Sequence, residues 1–260
     1  MLNEQTKTKL HALKLNGMAE AYEEQRSQSR MAELSFDERL GLLVERQWLW
    51  KENRALATRL AYAQLKEQAC VEDLDYGDGR GLKRSVIDQL ARADWINYHQ
   101  NVLITGPTGT GKTFLACALA HKVCRDGHRA VYFYGPKLFR QLTLAHADGS
   151  LTKLLKKIAK ARLLVVDDWG LGKIDEQQHR DFLEILDDRH GNASTLITSQ
   201  FPVQDWHESM PDPTIADAIL DRLVHNAHRI DLKGESMRKR KSKSPEPLPP
   251  SRESSAGPIK

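Results

Sequence analysis

The 260-residue chain has little cysteine: three residues, Cys70, Cys117 and Cys124, with no Cys-x-x-Cys pair. That spacing excludes a thiolate metal site and leaves buried free thiols as the expectation. No run of 18 apolar residues occurs, so no membrane-spanning helix is expected. The opening segment MLNEQTKTKLHALKLNG lacks an apolar stretch before a small-residue cleavage site, which argues against a secretory signal. A soluble cytoplasmic protein with no membrane partner is the resulting expectation. No internal repeat is evident. Excess charge is also missing from most of the chain. Seven basic and three acidic residues between Gly234 and Lys260 account for the whole formal charge of +4. Residues 1–233 therefore sum to zero, and DNA binding by the folded part must come from local patches.

The length predicts one or two domains, and hydrophobic (40%) and charged (28%) contents are those of a globular protein. Residues 4–68 carry helical spacing with no β pattern. Leu10, Leu13, Met18, Ala21 and Tyr22 fall around an expected break at Gly17. Ser35-Phe-Asp-Glu38 is a capping box opening a helix with Leu40, Leu43, Val44, Gln47 and Trp48 on one face. A further amphipathic stretch runs through Leu56, Leu60, Ala63 and Leu65. Helix packing is the favoured role for Trp48 and Trp50, ahead of base stacking. The boundaries predicted are a helical domain over 1–70 for DNA or partner binding, a glycine-rich linker over 71–81, an α/β core over 82–236 and a basic, disordered tail over 237–260. Within the core, apolar strands at 101–105, 130–134, 163–167, 194–199 and 229–232 alternate with helices, the pattern of a parallel sheet.

The strand Asn101–Thr105 runs into Gly106, Pro107, Thr108, Gly109, Thr110, Gly111, Lys112 and Thr113, and then into a helix. This is G-x-x-x-x-G-K-[ST] in its required strand–loop–helix context. Its glycines let backbone amides converge on an anion at the positive end of the helix. Lys112 then reaches the β- and γ-phosphates of ATP, and the Thr113 hydroxyl binds Mg2+. Asp167 and Asp168 close an apolar strand 55 residues after the lysine. Asp167 is expected to hold the magnesium, and Asp168 to orient and polarise the attacking water. Thr198-Ser199-Gln200 ends the next strand, where a polar side chain can align that water. Gln200 is the first choice and Ser199 the second. Arg222 lies late in the core. It either reaches the site of a neighbouring subunit or pairs with Asp217 or Asp221 in its own chain, and the sequence physics leaves both open.

On these residues the chain resembles the IstB family, ATP-binding helpers encoded beside a transposase in insertion sequences. The segments that carry the likeness include GMAEAYEEQ (17–25), SFDERLGLLVERQW (35–48), GPTGTGKT (106–113), LLVVDDWGLG (163–172), STLITSQFPVQDWHE (194–208) and DPTIADAILDRLVHNAHRIDLKGESMRK (212–239). The resemblance implies a P-loop AAA+ core after an all-α N-terminal domain, with no C-terminal lid domain. It implies Lys112 and Thr113 on phosphate and magnesium, Asp167 on magnesium, Asp168 as catalytic acid, Gln200 as sensor and Arg222 as an arginine acting in trans. Arg238 would be a second nucleotide sensor. It further implies a homo-oligomer that assembles with ATP on duplex DNA and recruits the cognate transposase. Phe114 and Trp169 depart from the residues usual in the family at their positions.

Three other functions fit parts of the pattern: a helicase loader of the DnaC type, a small-molecule kinase, and an ATP-binding scaffold that barely hydrolyses. Lys7, Lys9, Arg26, Arg30, Arg54 and Arg59 of the N-terminal helices, together with basic residues of the core, are the expected DNA contacts.

Overall fold

The structure, a computed structural model, describes residues 2–77 and 79–237. Expectations on the tail, on Arg238 and on a lid after the core lie outside those residues. The N-terminal part is three helices: α1 (Leu2–Ala12), α2 (Asn16–Ser27) and α3 (Phe36–Ala63). Gly17 does not break the chain. It lies inside α2, where a Cβ would stand 2.6 Å from Trp50 Cβ and 2.9 Å from the Arg46 carbonyl. The missing side chain lets α2 cross α3 closely, and the break falls before it, at Lys14, whose φ is +59°. The capping box opens α3: the Ser35 amide donates to Glu38 at 2.8 Å, and the Glu38 amide to Ser35 Oγ at 3.3 Å. With no proline from 36 to 63, the two amphipathic stretches form one helix of 28 residues. Trp50 packs over Gly17, whereas Trp48 is 63% exposed, so helix packing within the chain holds for one tryptophan only.

The end of α3 is fixed to the core. Arg59 donates to the Cys124 carbonyl at 2.7 Å and the Tyr62 hydroxyl to the Lys157 carbonyl at 2.6 Å. Residues 71–77 and 79–81 of the connecting segment lie packed against the core. Leu74 is buried, and Arg80 donates to the Thr110 carbonyl at 2.9 Å.

The core follows as α4 (Arg84–Ala91), α5 (Asp94–Asn97), β1 (Asn101–Thr105), α6 (Lys112–Arg125), β2 (Ala130–Tyr134), α7 (Gly135–Asp148), α8 (Leu151–Ala159), β3 (Leu163–Trp169), α9 (Glu176–Arg189), β4 (Ser194–Ser199), α10 (Pro213–Val224) and β5 (Ala227–Asp231). The five strands are parallel in the order β2-β3-β4-β1-β5. Alternate residues of each strand feed two apolar layers, as a sheet covered on both faces requires. Val102, Ile104, Val165 and Leu196 face α6, while Leu103, Val166 and Ile197 face the layer that contains Phe139, Phe182 and Ile219. This is the mixed α/β P-loop fold with a helical N-terminal region that the sequence predicts. Strand β3 runs two residues further than expected. Its register against β4 shifts between Val166 and Trp169, and Asp168 in the shift has φ +58°.

Candidate functional site

The phosphate loop leaves the carboxyl end of β1, where ligands bind in open α/β sheets. Gly106 has φ +139°, and a Cβ there would lie 2.1 Å from the Leu232 carbonyl, so no other residue fits beside the end of β5. Lys112, 5% exposed, donates to the carbonyls of Gly106 and Pro107 at 2.7 and 2.9 Å. A cavity of about 360 Å³ opens beside the loop. Thr108, Gly109, Gly111, Lys112, Thr113 and Phe114 form one wall, and Asp168 and Gln200 another. The connecting segment closes a third side with Leu74, Asp75 and Arg80.

Asp167 is fully buried and sits at the centre of a set of donors. Thr113 Oγ1 lies 3.0 Å from both carboxylate oxygens, the Tyr132 hydroxyl donates at 2.6 Å and the Thr198 hydroxyl at 2.7 Å. Burial first, and then the bond to Asp167, pushes the Tyr132 phenol well above its ordinary range, so it stays a donor. Among the described residues the Lys66 ammonium pairs with the carboxylate, 3.6 Å from Oδ2 and 44% exposed. Hydroxyl and carboxylate oxygens are the hard donors Mg2+ takes, and a buried carboxylate whose paired ammonium is half-exposed can exchange that partner for a divalent ion. The residues present fit that ion.

Strict alternation would turn Asp168 away from α6. The left-handed residue within the shifted register turns it back, and its amide donates to Thr198 Oγ1 at 2.8 Å. Such backbone costs energy and is held by its surroundings. Burial, and then the neighbouring Asp167 charge, raises the Asp168 carboxyl above the ordinary range, with Lys112 and Lys66 opposing. Asp168 also lines a second, larger groove of about 1600 Å³ on the far side. Six lysines, Lys66, Lys137, Lys153, Lys156, Lys157 and Lys160, line that groove against two acids, Asp148 and Asp168. Tyr62, Tyr132, Phe133 and Tyr134 are interleaved with them.

The structure thus brings Gly106–Thr113, Asp167, Asp168 and Gln200 together. Gln200 Oε1 accepts from Thr108 Oγ1 at 2.6 Å. Ser199 is not brought in: its hydroxyl donates to the Trp169 carbonyl at 2.9 Å and accepts from the Phe201 amide at 3.1 Å. Its neighbour Thr198, missed in the sequence, binds Asp167 instead. Strand parity is the signal that finds it, since Leu196, Thr198 and Gln200 share the face toward α6. Tyr132 and Lys66 had no local signal. Arg222 stands at the other end of the sheet, where its carbonyl accepts from Asn101 Nδ2 at 2.9 Å. A five-residue strand, about 16 Å long, separates it from the chain's own phosphate loop. Its guanidinium pairs with Asp187, and only at 3.8 Å with Asp221. Asp217 lies 3.2 Å from His207 instead. Among the expected DNA contacts, Arg59 is spent on the core, Lys7 pairs with Glu23, and Arg54 lies over the Trp50 ring.

Residues 8–245 match the family described as IstB-like ATP binding protein. The chain belongs to that family. The match runs from within α1 through the rest of the helical region and the whole core, and beyond Lys239 into the tail. The protein y4pL of Sinorhizobium fredii, named an insertion sequence ATP-binding protein, is 52% identical over 239 residues, covering 92% of this chain and 98% of its own. Among solved structures, DnaI superposes with a TM-score of 0.55 at 25% identity, over 64% of this chain and 92% of DnaI. The replication initiator DnaA bound to AMPPCP and single-stranded DNA gives 0.54 at 17% identity, over 69% and 56%. These likenesses place the IstB-family core among AAA+ folds. Trp169, expected to depart from the family's usual residue, is a core side chain here, 1% exposed with its ring 4.7 Å from that of Phe182. Phe114, the other departure, lines the nucleotide-sized cavity.

Proposed function

We propose that this IstB-family protein is a magnesium-dependent ATPase that assembles as a homo-oligomer on duplex DNA in the cytoplasm. There it recruits and stimulates the transposase of an insertion sequence. The observation that carries this reading is the position of Asp168, which lines both the cavity at the phosphate loop and the lysine-rich groove. Interleaved lysines and aromatic rings are what a polyphosphate backbone requires of a protein surface.

In this reading Lys112 leaves the Gly106 and Pro107 carbonyls for the β- and γ-phosphates of ATP, while the loop amides hold the same oxygens. Thr113 and Asp167 hold Mg2+, which when bound neutralises charge on the phosphate oxygens. Asp168 orients and polarises the attacking water. Despite its shorter reach relative to glutamate, Asp168 lines the cavity at the loop from within the shifted register of β3. Gln200, already bonded to Thr108, reports the γ-phosphate. Arg222, too far from its own loop, serves the site of a neighbour. Hydrolysis then switches the protein between assembled and released states.

The test is size-exclusion chromatography of the wild type and of Lys112→Ala, with and without ATP and duplex DNA. Assembly is expected in the wild type only when both ligands are present. No assembly under any of these conditions would sink the proposal. A fold shared with the DnaC helicase loader keeps a helicase-loader function as the second reading. Turnover stimulated by duplex DNA alone favours the transposition helper, and single-strand binding that requires a helicase favours the loader.

A further inference from the structure

Lys66 lines the lysine-rich groove and reaches Asp167. Its ammonium lies 3.6 Å from Asp167 Oδ2 and 5.4 Å from the centroid of the Tyr134 ring. Its stem lies along the lysine-rich groove. It follows the end of α3, whose Gln64 closes the helix with φ +53°. That end is held by Tyr62 on the Lys157 carbonyl and by Lys157 Nζ on Gln64 Oε1 at 3.3 Å. The backbone of Lys66 is therefore fixed next to a pinned helix end, while its long stem and exposed head are free to turn.

We propose that Lys66 is a positioning residue that couples Mg·ATP binding to DNA binding, by serving either Asp167 or a DNA phosphate in the groove. The inference rests on the reading of that groove as the DNA surface. Its physical basis is competition for one charge. Asp167 carries one negative charge, and its buried oxygens accept from Thr113, Tyr132 and Thr198. A divalent ion held there repels an ammonium a few ångströms away, because charges of like sign interact strongly where water is scarce. Released from Asp167, the ammonium can remain over the Tyr134 ring, where cation–π attraction keeps it on the groove side. A phosphate entering the groove stabilises it there. Mg·ATP thereby prepares a DNA contact, and by linkage DNA tightens Mg·ATP by the same factor.

The experiment measures binding of a slowly hydrolysed fluorescent ATP analogue with Mg2+, with and without duplex DNA. The full-length wild type is compared with Lys66→Met, Lys66→Arg and Lys153→Glu/Lys156→Glu. In the wild type, duplex is expected to tighten the analogue about fivefold or more, the lower end of allosteric couplings. In Lys66→Met, which keeps the stem without the charge, DNA-free binding of the analogue is expected to be tighter than in the wild type. The effect of duplex should then fall below about twofold, and Lys66→Arg should restore it. A merely structural role predicts weaker analogue binding in Lys66→Met, and that result would overturn the proposal. So would wild-type coupling in Lys66→Met, or no coupling in the wild type. The double glutamate variant tests the groove separately. If it binds duplex as the wild type does, the groove reading fails and the inference with it. If it loses duplex while Lys66→Met keeps its coupling, the inference alone fails.

Discussion

The Thr198 hydroxyl donates to Asp167 Oδ1 across 2.7 Å, and neither residue exposes any surface. Thr198 Oγ1 in turn accepts from the Asp168 amide at 2.8 Å. One hydroxyl on β4 thus holds the buried carboxylate in place and fixes the turn that presents the next one. The strained residue at 168 persists because its amide has this partner.

Thr198→Val keeps the shape and removes the hydroxyl. It takes one donor from the buried carboxylate, whose Oδ1 keeps Thr113, and leaves the Asp168 amide without its partner, which costs roughly 1–3 kcal/mol of stability. The larger effect is expected on turnover. With Asp168 no longer held, kcat should fall about tenfold or more, since small displacements of reacting groups are expensive, and Thr198→Ser should recover most of it. Thermal unfolding and steady-state ATP turnover check the two parts. A Val variant with wild-type turnover would remove Thr198 from the site.

Arg189 is 2% exposed, and no acidic partner balances it among the described residues. Its guanidinium donates to the carbonyls of Ile158 and Ala161 at 3.2 and 3.0 Å, to the Ser194 carbonyl and to Thr195 Oγ1. It ties the ends of α8 and α9 to the start of β4, and burial lowers its pKa to about 9. Arg189→Met should therefore destabilise the protein by roughly 3 kcal/mol, since several buried carbonyls lose their donor together. Nucleotide affinity per folded molecule should be unchanged. Chemical denaturation and nucleotide titration separate the two, and equal stability would show that the carbonyls find other donors.

Much of this was legible in the sequence, for reasons visible in particular residues. The phosphate loop and Asp167 are set by local chain geometry, since a glycine-rich turn between an apolar strand and a helix has few alternatives. The strands and core helices follow from apolar runs between glycines such as Gly127 and Gly191. What was not legible depends on contacts distant in sequence. Gly17 looked like a break because nothing local announces Trp50 on the opposite helix. Ser199 and Thr198 are alike in composition, and only the parity of β4 against α6 separates them. Asp168 breaks that parity through a register shift that needs β4 as well as β3. Lys66 belongs by sequence to the helical region and by position to Asp167.

Stability should fall in mild acid, and the cause is imidazole that is buried at His179 and half-buried at three other positions. His121, His128, His179 and His228 all have pKa values lowered by burial. His179, 2% exposed with Nδ1 2.9 Å from the Asp175 carbonyl, is the most enclosed of them. A depressed folded pKa means that the unfolded chain binds more protons between the two values. Stability is therefore full above the unfolded value of about 6.5 and is lost as pH falls below it toward the folded values. The midpoint of thermal unfolding should drop between pH 7.5 and 5.5, and His179→Gln should show a smaller drop. An equal drop in the variant would assign the effect to other groups.

Arg222 offers the sharpest test of how the site is completed. Within one chain its guanidinium pairs with Asp187, donates to the Ala218 carbonyl at 3.0 Å and is 30% exposed. An exposed ion pair of this kind contributes about 1 kcal/mol or less, so as a structural residue Arg222 would barely be missed. As a trans-acting arginine it would be missed severely, because stabilising charge on a transferring phosphoryl group is worth at least about a hundredfold in rate. Arg222→Ala should then keep its unfolding temperature and nucleotide affinity while losing turnover. Lys112→Ala should lose turnover for the opposite reason, since it keeps the arginine but has a damaged loop. Mixing the two inactive proteins with ATP and duplex DNA builds interfaces at which an intact loop meets an intact arginine. A fraction of wild-type turnover should return on mixing and rise with total protein concentration. If Arg222→Ala turns over ATP normally as a monomer, the arginine belongs to its own chain and Asp187 is its whole purpose.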